Sequence, residues 1–249
     1  MLSPLAAGIY GAIGIAGATG LGIGAFAYAS HWPTSQLFGS TLMAPRNPGE
    51  LALTFDDGPN PAWTPRLLDI LATHNVRATF FMVGKFAKSE PELARRVADA
   101  GHLIGNHSWS HPDLSRTRSA NVLDELTRTS DILTAITGKP IRYFRPPFGG
   151  RRPYVLKLAR QLGLIPVTWN AMTTDWSELS ADRIAQNLFK KIDSNQRSGC
   201  ASNIVLHDGS HRGLNADRRP SVTAAEQLLA RYAGAHKFVT LDAWPFKSV

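Results

Sequence analysis

From Glu50 to the C-terminus, short apolar runs alternate with longer amphipathic stretches, and this alternation narrows the possible folds more than any other feature. Leu51–Phe55, Ala78–Val83, His102–Asn106, Arg142–Arg145, Leu164–Trp169, Asn203–Leu206 and Lys237–Leu241 read as strands. Helical patterns lie between them. One starts at Thr64-Pro65, with Thr64 as N-cap and Pro65 at the first helical position; others cover Ser89–Ala100, Asn121–Thr137, Pro153–Leu162 and Ser180–Ile192; a last one would start from a Thr223/Glu226 capping box. About seven β/α units in series predict a parallel sheet closed or nearly closed into a barrel. In such barrels the chemistry sits on loops at the C-terminal strand ends.

The polar clusters fall at those ends. Leu51–Pro59, LALTFDDGP, is a strand that stops on Asp56 and Asp57 before a Gly-Pro turn. Adjacent carboxylates raise one another's pKa, so the turn is either well solvated or shared with a cation. His107 and His111 follow the third strand, four residues apart, and together with a carboxylate would form a three-ligand metal site. A pair of hydrogen-bonded surface histidines is the alternative. Arg145, Asp175 and His207 also follow strand ends. His211 is expected in a solvated loop, with the cleft wall as the alternative. His74 and His102 are expected at a helix end and a strand start. Trp63 and Trp109 could stack on sugars or simply pack.

TFDDGP at Thr54–Pro59, HSWSH at His107–His111, RPPFG at Arg145–Gly149, DW at Asp175-Trp176 and VLHD at Val205–Asp208 occur in one order. In these motifs the chain resembles the polysaccharide deacetylases, the carbohydrate esterase family built on the NodB homology domain. The resemblance covers about Glu50 to the C-terminus. It implies a distorted (β/α)7 barrel and metal-dependent removal of acetyl groups from N-acetylated sugars. By the same resemblance, Asp57, His107 and His111 hold one divalent ion, expected to be Zn²⁺. Asp56 is the general base, held by Arg145, and His207 protonates the leaving amine. An N–H at Phe148 faces the oxyanion, and Pro147, Trp176 and Leu206 wall the substrate pocket. Many members carry an acid three residues before the Asp-Trp pair. Met172 stands there, so either Asp175 takes over the tuning of His207 or His207 is less basic than in those members.

Residues 1–30 form a separate segment. No Asp, Glu, Lys or Arg occurs from Met1 to Ser30, and Leu5–Ala29 is long enough to span a bilayer as an apolar helix. The expectation is a single-pass membrane protein with its catalytic domain on the periplasmic or extracellular face. Ala27-Tyr28-Ala29 also resembles a cleavage site, which would make the protein secreted. Residues 31–49, with Pro33, Pro45 and Pro48, read as a linker, and 50–249 as the deacetylase domain. The charge of +8 comes without a long basic run, which argues against a nucleic-acid partner. The single cysteine, Cys200, does not locate the protein. The expected partner is an N-acetylated glycan, such as cell-wall peptidoglycan or a chitin-like polymer. Alternatives are a lipid-linked sugar deacylase or deformylase, and a non-catalytic glycan-binding protein with the same fold.

Overall fold

Alternation along the strands sets the architecture. In the computed structural model, which describes residues 24–177 and 179–246, the first strand β1 (Glu50–Gly58) is buried from Leu51 onward. Leu51, Leu53 and Phe55 pack outward against helices, while Ala52 belongs to a second, inner cluster with Phe81, Val167 and Trp244. Thr54 and Asp56 share the inner face with Ala52, because side chains two apart on a strand point the same way.

Around β1 run β2 (Thr79–Met82), β3 (Leu103–Asn106), β4 (Tyr143–Phe144), β5 (Ile165–Pro166), β6 (Ala171–Met172), β7 (Ser202–His207) and β8 (Lys237–Phe238). Their order is β5-β4-β3-β2-β1-β7-β6, with β8 beside the start of β1. Every pairing is parallel. The outer layer comprises α1 (Thr64–Thr73), α2 (Gly84–Ser89), α3 (Pro91–Asp99), α4 (Ser119–Thr137), α5 (Pro153–Gln161), α6 (Ala181–Arg197) and α7 (Arg219–Tyr232).

The expected parallel α/β sheet is therefore present, but curled and open rather than fully closed. β5 and β6 follow one another in the chain yet form opposite ends of the sheet. Pro166 cannot donate to a ladder, which helps keep β5 to two residues. The seam is stitched in other ways. Leu42 forms a parallel bridge with Val167, and Asn203 Nδ2 donates to the Thr168 carbonyl at 2.7 Å.

Two helix starts differ from expectation. α7 begins at Arg219 with proline in its first turn, so Thr223 and Glu226 lie inside the helix and form no capping box. Trp63, not Thr64, precedes α1; the Thr64 hydroxyl instead accepts from Asn60 N and donates to Asp208.

The membrane expectation is corrected. No helix among the described residues is long and apolar enough to cross a membrane, so neither a single-pass arrangement nor a membrane partner is supported. Most of the apolar run, up to Ile23, lies outside the described residues. Residues 24–31 are helical, and the chain there turns onto the domain, burying Ala29 and Ser30. Arg151, 1% exposed, anchors this approach. Its guanidinium donates to the carbonyls of Trp32 at 2.6 Å, Ser35 at 2.8 Å and Gly149 at 2.9 Å. Arg151→Ala leaves these carbonyls without their donor and should lower stability by about 1–3 kcal/mol. Chemical denaturation measures it, and an unchanged midpoint would show that the clamp carries no stability.

Candidate active site

The inner face of β1 delivers Asp56 to the C-terminal mouth of the sheet, and the chain then turns sharply. Asp57 adopts φ 70°, which redirects its carboxylate towards the loop after β3. That turn is packed tightly against the end of β7. A Cβ on Gly209 would lie 2.0 Å from the Asp57 carbonyl oxygen, so only glycine permits this approach.

The loop after β3 is a tight turn and not a helix. Asn106 Oδ1 accepts from Ser108 N at 2.8 Å, and Ser108 Oγ accepts from His111 N at 3.1 Å. Ser108, His111 and Phe148 all have φ near +60°, at 62°, 63° and 57°. Non-glycine residues in this region cost about 1–3 kcal/mol each and persist where surrounding structure holds them, typically at functional sites.

His107 and His111 both aim Nε2 at Asp57 Oδ1, at 3.5 and 3.1 Å. The Nδ1–H of His107 is placed to donate to the Arg145 carbonyl at 2.8 Å, which leaves Nε2 as its free acceptor. Burial pushes His107 down to about 4, so the imidazole is neutral at pH 7. Burial acts to raise Asp57, yet the His111 and His211 imidazoles outweigh it and hold the carboxyl well below the usual range. Three donor atoms thus converge within 4.8 Å of one another, all on buried residues. Asp57 Oδ1 and His111 Nδ1 are buried without a hydrogen-bond partner. A carboxylate oxygen without a hydrogen-bond partner, approached by two imidazole Nε2 atoms, fits a divalent cation of intermediate softness.

Asp56 has a different environment. Arg145 Nη1 donates to Asp56 Oδ1 at 2.8 Å and to Thr54 Oγ1 at 2.6 Å, while Nη2 donates to Asn203 Oδ1 at 3.2 Å. The guanidinium, fully buried, lies over the Phe81 ring at 4.2 Å. The adjacent acids therefore do not compete, since one faces two histidines and the other an arginine.

On the opposite side of the mouth, Asp175 grips His207 twice. Oδ2 accepts from His207 N and Oδ1 from Nδ1–H, both at 2.8 Å. Burial alone would lower the imidazole's pKa, but the Asp175 carboxylate outweighs it and His207 is pushed up to about 9. Trp176 covers the ring edge-on at 5.1 Å. Behind β7, burial pushes Asp208 up to about 7.

These groups surround one cleft of about 660 Å³. Asp56, Asp57, His107, His111, His207, Phe148 and Trp176 line it, while Arg145 and Asp175 are buried behind it. Two expected wall residues are displaced by one position. Leu206 is fully buried in the outer core, and Val205 lines the cleft, because alternation along β7 puts 203, 205 and 207 on the inner face. Pro146, not Pro147, reaches the cleft. Met172 lines it without contributing a polar group.

Trp169 and His211 were the residues that sequence reasoning underrated. Trp169 follows the fifth strand end, the position that marked the other site residues. His211 stacks on His111 with centroids 4.7 Å apart and lines the cleft from a turn that leaves its side chain partly exposed. Its spacing from His207 repeats that of His107 and His111. Trp63 and Trp109 do not line the cleft; Arg66 covers the first at 4.9 Å and Arg128 the second at 4.1 Å.

Comparison with known proteins agrees with this geometry. Residues 44–167 match the family model described as polysaccharide deacetylase. The chain is 41% identical over 144 residues to a peptidoglycan-N-acetylglucosamine deacetylase of Bacillus cereus, covering 58% of this chain and 52% of that one. It is 37% identical over 174 residues to a chitooligosaccharide deacetylase of Azorhizobium caulinodans, covering 70% and 80%. The chain thus spans about half the length of the first relative and four-fifths of the second. The fold is also similar to the crystal structure of a peptidoglycan N-acetylglucosamine deacetylase in complex with 4-naphthalen-1-yl-N-oxidanyl-benzamide. That match has a TM-score of 0.72 and 34% identity, and it covers 81% of this chain and 90% of the other.

Proposed function

The chain belongs to the polysaccharide deacetylase family, and from that premise we propose that it hydrolyses the N-acetyl group of a hexosamine unit in a glycan. The observation that carries this reading is the convergence of Asp57, His107 and His111 beside a separately held acid, Asp56, and opposite a charged His207. Wall peptidoglycan and chitin-like oligomers are the candidate substrates, since relatives named for both kinds share the sequence.

Asp57 Oδ1, His107 Nε2 and His111 Nε2 would hold a divalent ion, which we read as Zn²⁺ from the donor set. When bound, such an ion polarises the acetyl carbonyl and makes water more acidic. Asp56 removes a proton from the attacking water as its oxygen adds to the carbonyl carbon. Arg145 keeps Asp56 oriented for that transfer. The Phe148 N–H, on the cleft rim, donates to the oxygen that gains negative charge. The C–N bond then breaks, and His207 gives its Nε2 proton to the departing nitrogen. Asp175 holds the other ring nitrogen and stabilises the charged imidazolium. The products are acetate and a free amine. Trp176, Val205 and Met172 supply an apolar wall for the methyl group.

The test is acetate release by the full chain from N-acetylglucosamine oligomers and from purified peptidoglycan. Release that chelator abolishes and Zn²⁺ restores is the expected result. A zinc-loaded protein that releases acetate from neither glycan would overturn the reading.

A further inference from the structure

The turn between His107 and His111 is held from outside by a carboxylate that the mechanism does not use. Two of its amides are met within the turn, Ser108 N by Asn106 Oδ1 and His111 N by Ser108 Oγ. The two amides between them donate outward. Trp109 N and Ser110 N each donate to Glu125 Oε2 at 2.8 Å, and the Ser110 hydroxyl donates to Oε1 at 2.6 Å. The Ser108 and Trp109 carbonyls accept from Gly84 N at 2.9 Å and Lys85 N at 3.1 Å.

Glu125 lies on α4, whose buried residues Val122, Leu126 and Leu133 belong to the outer core. The same helix grips the turn at two more points. Asn106 Nδ2 donates to the Leu126 carbonyl at 2.8 Å and to Ser130 Oγ at 2.9 Å. Arg128 covers the Trp109 indole, which also packs on Gly84: a Cβ there would lie 2.7 Å from the ring. Ser108 and His111 both adopt positive φ, a conformation that persists only where surrounding bonds enforce it. Two amides converging on one carboxylate oxygen supply such bonds, since charge-assisted hydrogen bonds are the stronger kind.

We propose that Glu125 is a positioning residue for the metal centre. It fixes the turn in the shape that aims both Nε2 atoms at Asp57 before an ion binds. This rests on reading Asp57, His107 and His111 as metal donors, and it adds to them a residue outside the cleft. Glu125 touches neither imidazole, so its effect passes through the backbone of the turn. Without it, only part of the protein would hold the turn in the competent shape, and apparent affinity falls by that fraction.

The experiment measures Zn²⁺ dissociation constants of the full chain by competition with a chromogenic chelator. Glu125→Ala is expected to weaken binding about 10–100-fold, the usual effect of losing an outer partner of a metal ligand. Glu125→Gln keeps a carbonyl oxygen for the two amides and should restore most of that loss. The visible spectrum of the Co²⁺-loaded protein should change in the alanine variant and return towards the parent in the glutamine one. A purely structural Glu125 would lower the unfolding midpoint and leave the affinity of the folded protein unchanged, which would overturn the proposal. If Glu125→Ala does not fold, Glu125→Asp, whose carboxylate is withdrawn by one methylene, is read by the same two outcomes. If the parent binds no divalent ion, the metal reading fails separately, and amide hydrogen exchange of the metal-free protein decides. Faster exchange at Ser108 and His111 in the variant, relative to the core amides of α4, supports the positioning role, and unchanged exchange overturns it.

Discussion

Asp56→Asn should lower kcat for acetate release by about 10²–10⁴-fold, the usual contribution of a positioned general base. The substitution keeps the shape of the side chain and leaves Asp57, His107 and His111 untouched. Metal content of the purified variant should therefore match the parent. The same change also deprives buried Arg145 of its counter-charge. Breaking one side of a buried ion pair typically costs about 3–5 kcal/mol. Thr54 Oγ1 and Asn203 Oδ1 still accept from the guanidinium, which places the expected loss at the lower end. The variant should thus be nearly inactive, metal-loaded and less stable in denaturant. Full turnover would remove Asp56 from the mechanism, and loss of metal would show that it, and not only Asp57, serves as a ligand.

Asp175→Asn should move the basic limb of the pH–rate profile to lower pH. An acid that protonates the leaving amine works only while protonated, so activity falls as pH rises through the pKa of His207. In the parent that value is raised to about 9, with the Asp175 carboxylate overcoming the opposing effect of burial. Asparagine can still accept from His207 Nδ1–H but carries no charge. Losing a neighbouring anion lowers such a pKa by about 1–3 units, and the limb should shift by the same amount. At pH 8 the variant would then be mostly deprotonated and slow, with partial recovery on acidification. The pH profile of kcat/KM and an NMR titration of the His207 ring check this together. An unmoved limb would mean that His207 is not the acid, or that Asp175 only positions it.

The sites read from the strand ends were legible because each motif is short and local. A strand ending on Asp56-Asp57, a turn carrying His107 and His111, and an arginine before two prolines each declare themselves within a few residues. The same locality explains the errors. Leu206 and Val205 are adjacent, and nothing in VLHD says which faces inward until β7 is paired with β1. Asp56 pairs with His207 in that register, so the inner face of one strand decides that of the other. His211 was underrated because its partner is His111, a hundred residues earlier in the chain.

Sequence alone determined the β/α alternation, the parallel sheet and the order of the chemical groups, because strand and helix periodicity and turn chemistry act over neighbouring residues. Only the tertiary structure decided that the sheet stays open between β5 and β6, that residues 24–35 turn back onto the Arg151 clamp, and that one acid faces histidines while its neighbour faces arginine. Those outcomes depend on burial and on contacts between residues tens to more than a hundred positions apart. Desolvation, charge pairing and packing at that range are set only when the chain has closed on itself.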